Sequence, residues 1–225
     1  MFSRINIMIG GDDINKLHNS KVIIFGLGGV GGYVAEMLVR SGVGNITIVD
    51  YDIVDISNKN RQIIALDSTI GKYKVDVWLK RLKDINSDCN ITPIKEKLTK
   101  DNLEMFDLNQ YDYIIDAIDM VTSKIALVDF AYKNNLDIIS AMGTGKRMGI
   151  PHFEVKDIFE TTDDKLAKVL RHELRKLNVE KHKVVCTSNK TINCGENIGS
   201  IVYYPAMCGC VLSAYVIEEI IRSKK

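Results

Sequence analysis

The chain has 225 residues, 46% of them hydrophobic, with a formal net charge of +1 and three prolines. This excludes an intrinsically disordered chain and a global charge bias toward nucleic acid, so any basic surface must be local. The length suits one large domain, and neither an internal repeat nor a Gly/Ser- or Pro-rich linker divides it.

Residues 1–20 read as an N-terminal arm. Its first ten residues hold two apolar clusters without a cationic start and continuous apolar core, so no signal peptide is expected. No run approaches the roughly 20 apolar residues of a membrane span, and no membrane partner is expected. The apolar run at 22–25 predicts a strand buried on both faces. A helix over 30–41 follows, ended by Gly42 or Gly44. The next predicted elements are a strand at 46–50, a helix over 72–85 and a strand at 91–94. After them come a strand at 113–118, a helix over 123–134 and a strand at 138–141. Alternating strands and helices predict a Rossmann-like, doubly wound, mainly parallel α/β sheet with right-handed crossovers.

Beyond Met142 the pattern changes. Strands are predicted at 152–155, 184–186 and 200–204, with C-terminal antiparallel pairing. A helix is predicted over 164–177, capped by Asp163 or Asp164. A closing helix follows over 207–221. The polar stretch 187–199 reads as a mobile loop. The chain is thus one domain, with a nucleotide-binding part at 21–145 and a substrate-binding and dimerisation part at 146–225.

The chemistry concentrates at the end of the first strand. Gly26, Gly28, Gly29 and Gly31 stand between a strand and a helix, where backbone amides and a helix N-terminus accept phosphate. Asp50 closes the second strand about 20 residues on, where an acid accepts a ribose hydroxyl; the alternative is a strand-end carboxylate capping a turn. Asp52, Asn58, Arg61 and Lys74 follow. Paired cations beside a triphosphate neutralise its charge and orient pyrophosphate for departure. Taken singly, Arg61 and Lys74 read as solvated surface charges. Asp119, at the carboxyl edge of the sheet, suits Mg2+ bound by one carboxylate, phosphate oxygens and water; the alternative is a helix cap. Together these residues suggest ATP chemistry rather than hydride transfer.

The motif Gly26-x-Gly28-Gly29-x-Gly31, with Asp50-x-Asp52, Ser57-Asn58-x-Asn60-Arg61-Gln62, Lys74 and Asp119, resembles the ubiquitin-activating E1-like (ThiF/MoeB/HesA) superfamily. Its members adenylate a carboxylate with ATP and Mg2+. The resemblance implies that Asp50 binds ribose, that Asn58, Arg61 and Lys74 contact the phosphates, and that Asp119 holds the metal. It also implies that Arg4 reaches across a homodimer to the partner's ATP. Phe2-Ser3-Arg4, Ser41-Gly42-Val43-Gly44, Asp116-Ala117-Ile118-Asp119, Lys165-Leu166-Ala167-Lys168-Val169, Gly199-Ser200-Ile201 and Pro205 are similar to the tRNA threonylcarbamoyladenosine dehydratase branch. That branch uses ATP to cyclise the modified adenosine t6A at tRNA position 37. A sodium or potassium ion and a cysteine desulfurase or sulfur-acceptor partner belong to the same set of expectations. The rival expectations are adenylation of a ubiquitin-like sulfur carrier and a non-catalytic nucleotide-binding module.

The five cysteines are Cys89, Cys186, Cys194, Cys208 and Cys210. Their spacing does not make the two CxxC pairs of a tetrahedral zinc site, so zinc is not expected. Their odd number fits reduced thiols in a cytoplasmic protein. Cys186 sits near where some E1-like proteins place a reactive cysteine, but an inert role is expected. In the helix over 164–177, Leu166, Leu170, Leu174 and Leu177 form one stripe. Lys165, Lys168, Arg171, His172, Arg175 and Lys176 face the other way. A basic face on a near-neutral protein is either a solvated face or a phosphate-binding surface, and the resemblance favours tRNA contact by Lys168, Arg171, Arg175 and Lys176.

Overall fold

The structure is a computed structural model that describes residues 1–195 and 198–223. The expected loop over 187–199 therefore lies partly outside the described residues; its first residue, Thr187, ends a strand, and its other described residues form neither helix nor strand apart from a bridge between Thr191 and Arg147.

A seven-stranded sheet organises the chain. Its strands are β1 (Lys21–Phe25), β2 (Asn45–Val49), β3 (Asn90–Ile94), β4 (Tyr113–Asp116), β5 (Ile138–Ala141), β6 (Phe153–Asp157) and β7 (Lys183–Thr187). The spatial order is β3-β2-β1-β4-β5-β7-β6. All pairings are parallel except that of β6 with β7. Because β7 pairs directly with β5, the C-terminal third extends the nucleotide-binding sheet.

Strand β1 shows why its sequence is apolar throughout. Val22 and Ile24 enter the core on one face; Ile23 and Phe25 enter the other. Burying these four side chains contributes on the order of 6–12 kcal/mol before conformational entropy is subtracted. The first face is covered by α2 (Gly31–Ser41), α3 (Lys74–Ile85) and α6 (Tyr203–Arg222). The second is covered by α4 (Val121–Lys133), α5 (Lys165–Lys176) and short 3₁₀ turns between Leu103 and Gln110. Gly42 ends α2 in the left-handed conformation, φ 102°.

Three expectations are corrected. The N-terminal arm is a helix, α1 (Ser3–Asn19), broken at Gly10. It is tied down where Lys16 Nζ donates to the Ile221 carbonyl at 2.6 Å. The predicted strand at 200–204 is absent: Tyr203 and Tyr204 open α6. Their β-forming character is overridden because Tyr204 is fully buried, with its hydroxyl on the Met148 carbonyl at 2.7 Å. Pro205 sits in the first helical turn, where no backbone donor is required. Helix α6 is also long and apolar enough to cross a membrane, contrary to the sequence expectation. Here it is a core helix, burying Cys208, Leu212 and Val216 in the cluster shared with α2.

Candidate active site

Chain order reverses between β1 and β4, so a crevice opens at their carboxyl ends. A cavity of about 840 Å³ lies there. Its walls include Gly26, Gly28, Gly29, Asp50, Asp52, Arg61, Lys74 and Asp119. Residues from four sequence-distant segments therefore meet at one site.

The glycine turn is held by close backbone packing. Gly26 has φ +87°, and a Cβ there would come within 2.7 Å of the Ala117 carbonyl oxygen. A side chain at Gly31 would run into the carbonyl of Gly26. Only glycine permits the turn from β1 into α2 while β4 passes alongside.

Asp50 is buried, and its two oxygens accept backbone amides: Oδ2 from Leu27 at 2.7 Å and Oδ1 from Asp52 at 2.8 Å. Burial raises its pKa, against the opposing effects of Lys74 and these two amides. Asp50 thus braces the glycine turn as well as facing the cavity. Lys74 is not a solvated charge. It is 5% exposed, and its Nζ lies 2.7 Å from Asp52 Oδ2. Arg61 Nη1 donates to the Ser57 carbonyl at 2.9 Å and to Asn60 Oδ1 at 3.0 Å, leaving the rest of the guanidinium toward the cavity.

Three predicted nucleotide-site residues do not line the cavity: Gly31 (packed against the Gly26 carbonyl), Asn58 and Arg4. Asn58 is buried below the cavity wall, where its Oδ1 accepts the Asp55 amide at 3.1 Å in a capping box. The structure therefore gives Asn58 the role of fixing the turn that presents Arg61. Arg4 is exposed on α1 and does not line the cavity of its own chain. Two residues before it, Phe2 packs at Gly42, the far end of α2 from the glycine turn.

Asp119 is exposed at the cavity and is not a helix cap; Met120 occupies the cap position of α4 without a side-chain bond. Among the described residues no group of three or more His, Cys, Asp or Glu side chains is arranged to hold a metal. Cys186 is buried, which pushes its thiol up to about 11. Cys208 is also buried and raised by burial. Both are protonated at neutral pH.

Helix α5 is capped by Asp164, whose Oδ1 accepts the Ala167 amide at 2.9 Å. Lys165, Lys168, His172, Arg175 and Lys176 are exposed. Arg171 departs from the predicted face: its Nη1 donates to the Thr161 carbonyl at 2.8 Å and also to the Thr161 hydroxyl. Arg175 lies over the Phe159 ring at 5.2 Å.

Sequence reasoning missed two parts of the site. The segment Ile198–Gly199–Ser200 with Pro205 forms one wall, joined to the arginine motif where Asn60 Nδ2 donates to the Ser200 carbonyl at 2.9 Å. Tyr51 and Lys97 form another part of the lining, with Nζ 5.4 Å from the ring centroid. Gly199, Ser200 and Pro205 stand in the sequence only as motif residues with no role assigned, and no local pattern marks Tyr51 or Lys97.

Fold and site together define a doubly wound nucleotide-binding protein with an anion-receiving glycine turn and two cations at its switch point. The chain belongs to the ThiF family, whose profile matches residues 2–223. It is 35% identical over 240 residues to the tRNA threonylcarbamoyladenosine dehydratase of Bacillus subtilis, covering 98% of this chain and 94% of that protein. The Haemophilus influenzae protein of the same name is 29% identical, covering 95% and 90%. The crystal structure of Escherichia coli TcdA, a tRNA N6-threonylcarbamoyladenosine dehydratase, in complex with ATP superposes with a TM-score of 0.92 at 28% identity, covering 98% of this chain and 93% of that one.

Proposed function

We propose that this protein is an ATP-dependent tRNA threonylcarbamoyladenosine dehydratase. It cyclises t6A at tRNA position 37 and releases AMP and pyrophosphate. The observation that carries the reading is the meeting of Arg61, Lys74 and Asp119 around the glycine turn, in a chain related over its whole length to dehydratases of that name. The ATP complex of the E. coli relative supports the nucleotide assignment.

ATP phosphates lie against Gly26, Gly28 and Gly29, at the N-terminus of α2. Arg61 and Lys74 stabilise the charge that develops as the t6A carboxylate attacks the α-phosphorus and pyrophosphate leaves. The neighbouring carbamoyl group then attacks the activated carbonyl and expels AMP, so water is lost overall. Asp50 serves the ribose with the lone pairs its two backbone amides leave free. Asp119 suits Mg2+, which would bring most of its oxygen ligands from phosphate and water and would neutralise charge there.

The proposal includes tRNA contact through α5 and a homodimer in which Arg4 completes the partner's site. Ile7 and Met8, three and four residues beyond Arg4, are 84% and 83% exposed and give α1 an apolar face suited to a second copy. A cytoplasmic location follows from the tRNA substrate. A bound sodium or potassium ion and a cysteine desulfurase partner rest on the resemblance alone.

The test is pyrophosphate release from ATP with t6A-bearing tRNA, with a ubiquitin-like sulfur carrier, and with neither. Release is expected with the tRNA alone, together with the cyclic nucleoside, and Arg61→Ala should abolish it. Release with the carrier alone would replace this reading with sulfur-carrier adenylation.

A further inference from the structure

Directly behind the cavity lies a chain of buried polar groups that the roles above do not use. Asp116, the last residue of β4, has a fully buried side chain. Its Oδ1 accepts the Ile118 amide at 3.1 Å, inside the turn that leads to Asp119. Its Oδ2 accepts Lys124 Nζ at 2.8 Å and Ser140 Oγ at 2.6 Å. Since Ser140 donates to the carboxylate, its oxygen accepts from His182 Nε2, 2.8 Å away. Lys124, equally buried, makes a second bond to the Ala141 carbonyl at 3.1 Å.

The two partners of Lys124 belong to neighbouring strands, since β4 and β5 pair with Asp116 opposite Ser140. The segments that leave them both line the cavity, Ala117–Asp119 after β4 and Ala141–Met142 at the end of β5. The glycine turn is keyed to the first, because Gly26 is packed against Ala117. One ammonium therefore joins the segment that leaves β4, against which the glycine turn packs, to the end of β5. Stability alone is a poor reason to keep such a pair, since apolar replacement of a buried ion pair is often neutral or stabilising.

We propose that Lys124 is a positioning residue: by holding the Asp116 carboxylate and the Ala141 carbonyl together, it fixes how the segments leaving β4 and β5 present Asp119 and Met142 to the cavity, and so the approach of carboxylate to nucleotide. The inference rests on the reading of this cavity as the site of ATP and t6A. Loss of the tether should leave nucleotide binding intact, because the Ala117 amide still donates to the Phe25 carbonyl at 2.9 Å beside the glycine turn, and Arg61 and Lys74 lie on other elements. The chemical step should slow, since misplacement by about 1 Å lowers rates roughly 100-fold.

The experiment uses the full chain with t6A-bearing tRNA. Lys124→Met removes the tether. The pair Lys124→Met with Asp116→Asn removes both buried charges, and its amide oxygen can still accept from Ile118. In whichever variant folds, kcat should fall roughly 100-fold while KM for ATP stays within roughly threefold. Wild-type kcat in a folded variant, or a fall in ATP affinity that accounts for the whole loss, overturns the inference. So does failure of both variants to fold, because the pair would then be a requirement of the fold. Asp119→Asn runs alongside. If it also keeps wild-type turnover, the reading of the cavity has failed; if it is inactive while the double variant is normal, only the role of Lys124 falls.

Discussion

The ammonium of Lys74 lies 2.7 Å from Asp52 Oδ2, with the lysine side chain 6% exposed and the aspartate 45% exposed. The pair holds a positive charge inside the cavity before any phosphate arrives. Lys74→Met should lower kcat/KM for ATP by about 100-fold with the fold intact, because a cation facing developing charge acts mainly on the transition state. Asp52→Asn should behave differently and lower stability by about 1–2 kcal/mol, since it strands a buried ammonium that water reaches only from one side. Urea denaturation of both variants beside steady-state kinetics checks the contrast; equal stability losses would contradict it.

Arg4 cannot serve its own chain's cavity from α1, so the dimer makes a sharp prediction. Arg4→Ala and Asp119→Ala homodimers should each be inactive, and mixing them should restore part of the activity in heterodimers. In these, one of the two sites regains both residues. Mixing with no recovery, or a protein that sediments as a monomer, counts against a shared site.

The α5 surface divides by its anchoring. Lys165, Lys168 and Arg175 are exposed, whereas Arg171 is bound to Thr161. Reversing the first three to Glu should weaken tRNA binding by at least about tenfold and flatten its salt dependence, because fewer counterions are released. Nucleotide binding should be unchanged. Arg171→Glu should instead lower the melting temperature, by breaking the contact that closes the loop before α5. Unchanged tRNA affinity in the triple variant returns this face to a solvated one.

His182 supplies a pH signature. Burial, with Lys124 nearby, lowers its pKa to about 3, from about 6.5 in the unfolded chain. The unfolded state therefore binds the proton more readily, and the neutral ring's stabilising contribution is present above about pH 6.5. It is lost progressively as pH falls toward 3. Between pH 7.5 and 5.5 the loss should be on the order of 1 kcal/mol. Urea midpoints at the two pH values measure it, and His182→Gln should remove that part of the slope.

The glycine turn, the sheet and the place of Asp119 at its carboxyl edge follow from local patterns that survive folding. Apolar runs such as Val22–Phe25 dictate buried parallel strands, and glycines at a strand end dictate a tight turn. Once the strand order reverses at β1 and β4, the glycine turn and Asp119 must converge, whereas Arg61, beyond β2, and Lys74, at the start of α3, reach them only through the fold. Local pattern failed where a tertiary contact outweighed it. Tyr203 and Tyr204 favour strand by propensity but enter a helix, because Tyr204 gains a buried site and a partner in Met148. Asn58 reads as a ligand-facing amide but turns inward to cap the loop that aims Arg61. Of the group Asp116–Lys124–Ser140–His182, only Asp116 is marked in the sequence, as part of the motif that ends in Asp119. These four come from two strands, a helix and a loop, and only burial together makes one lysine the link between the segments that leave β4 and β5.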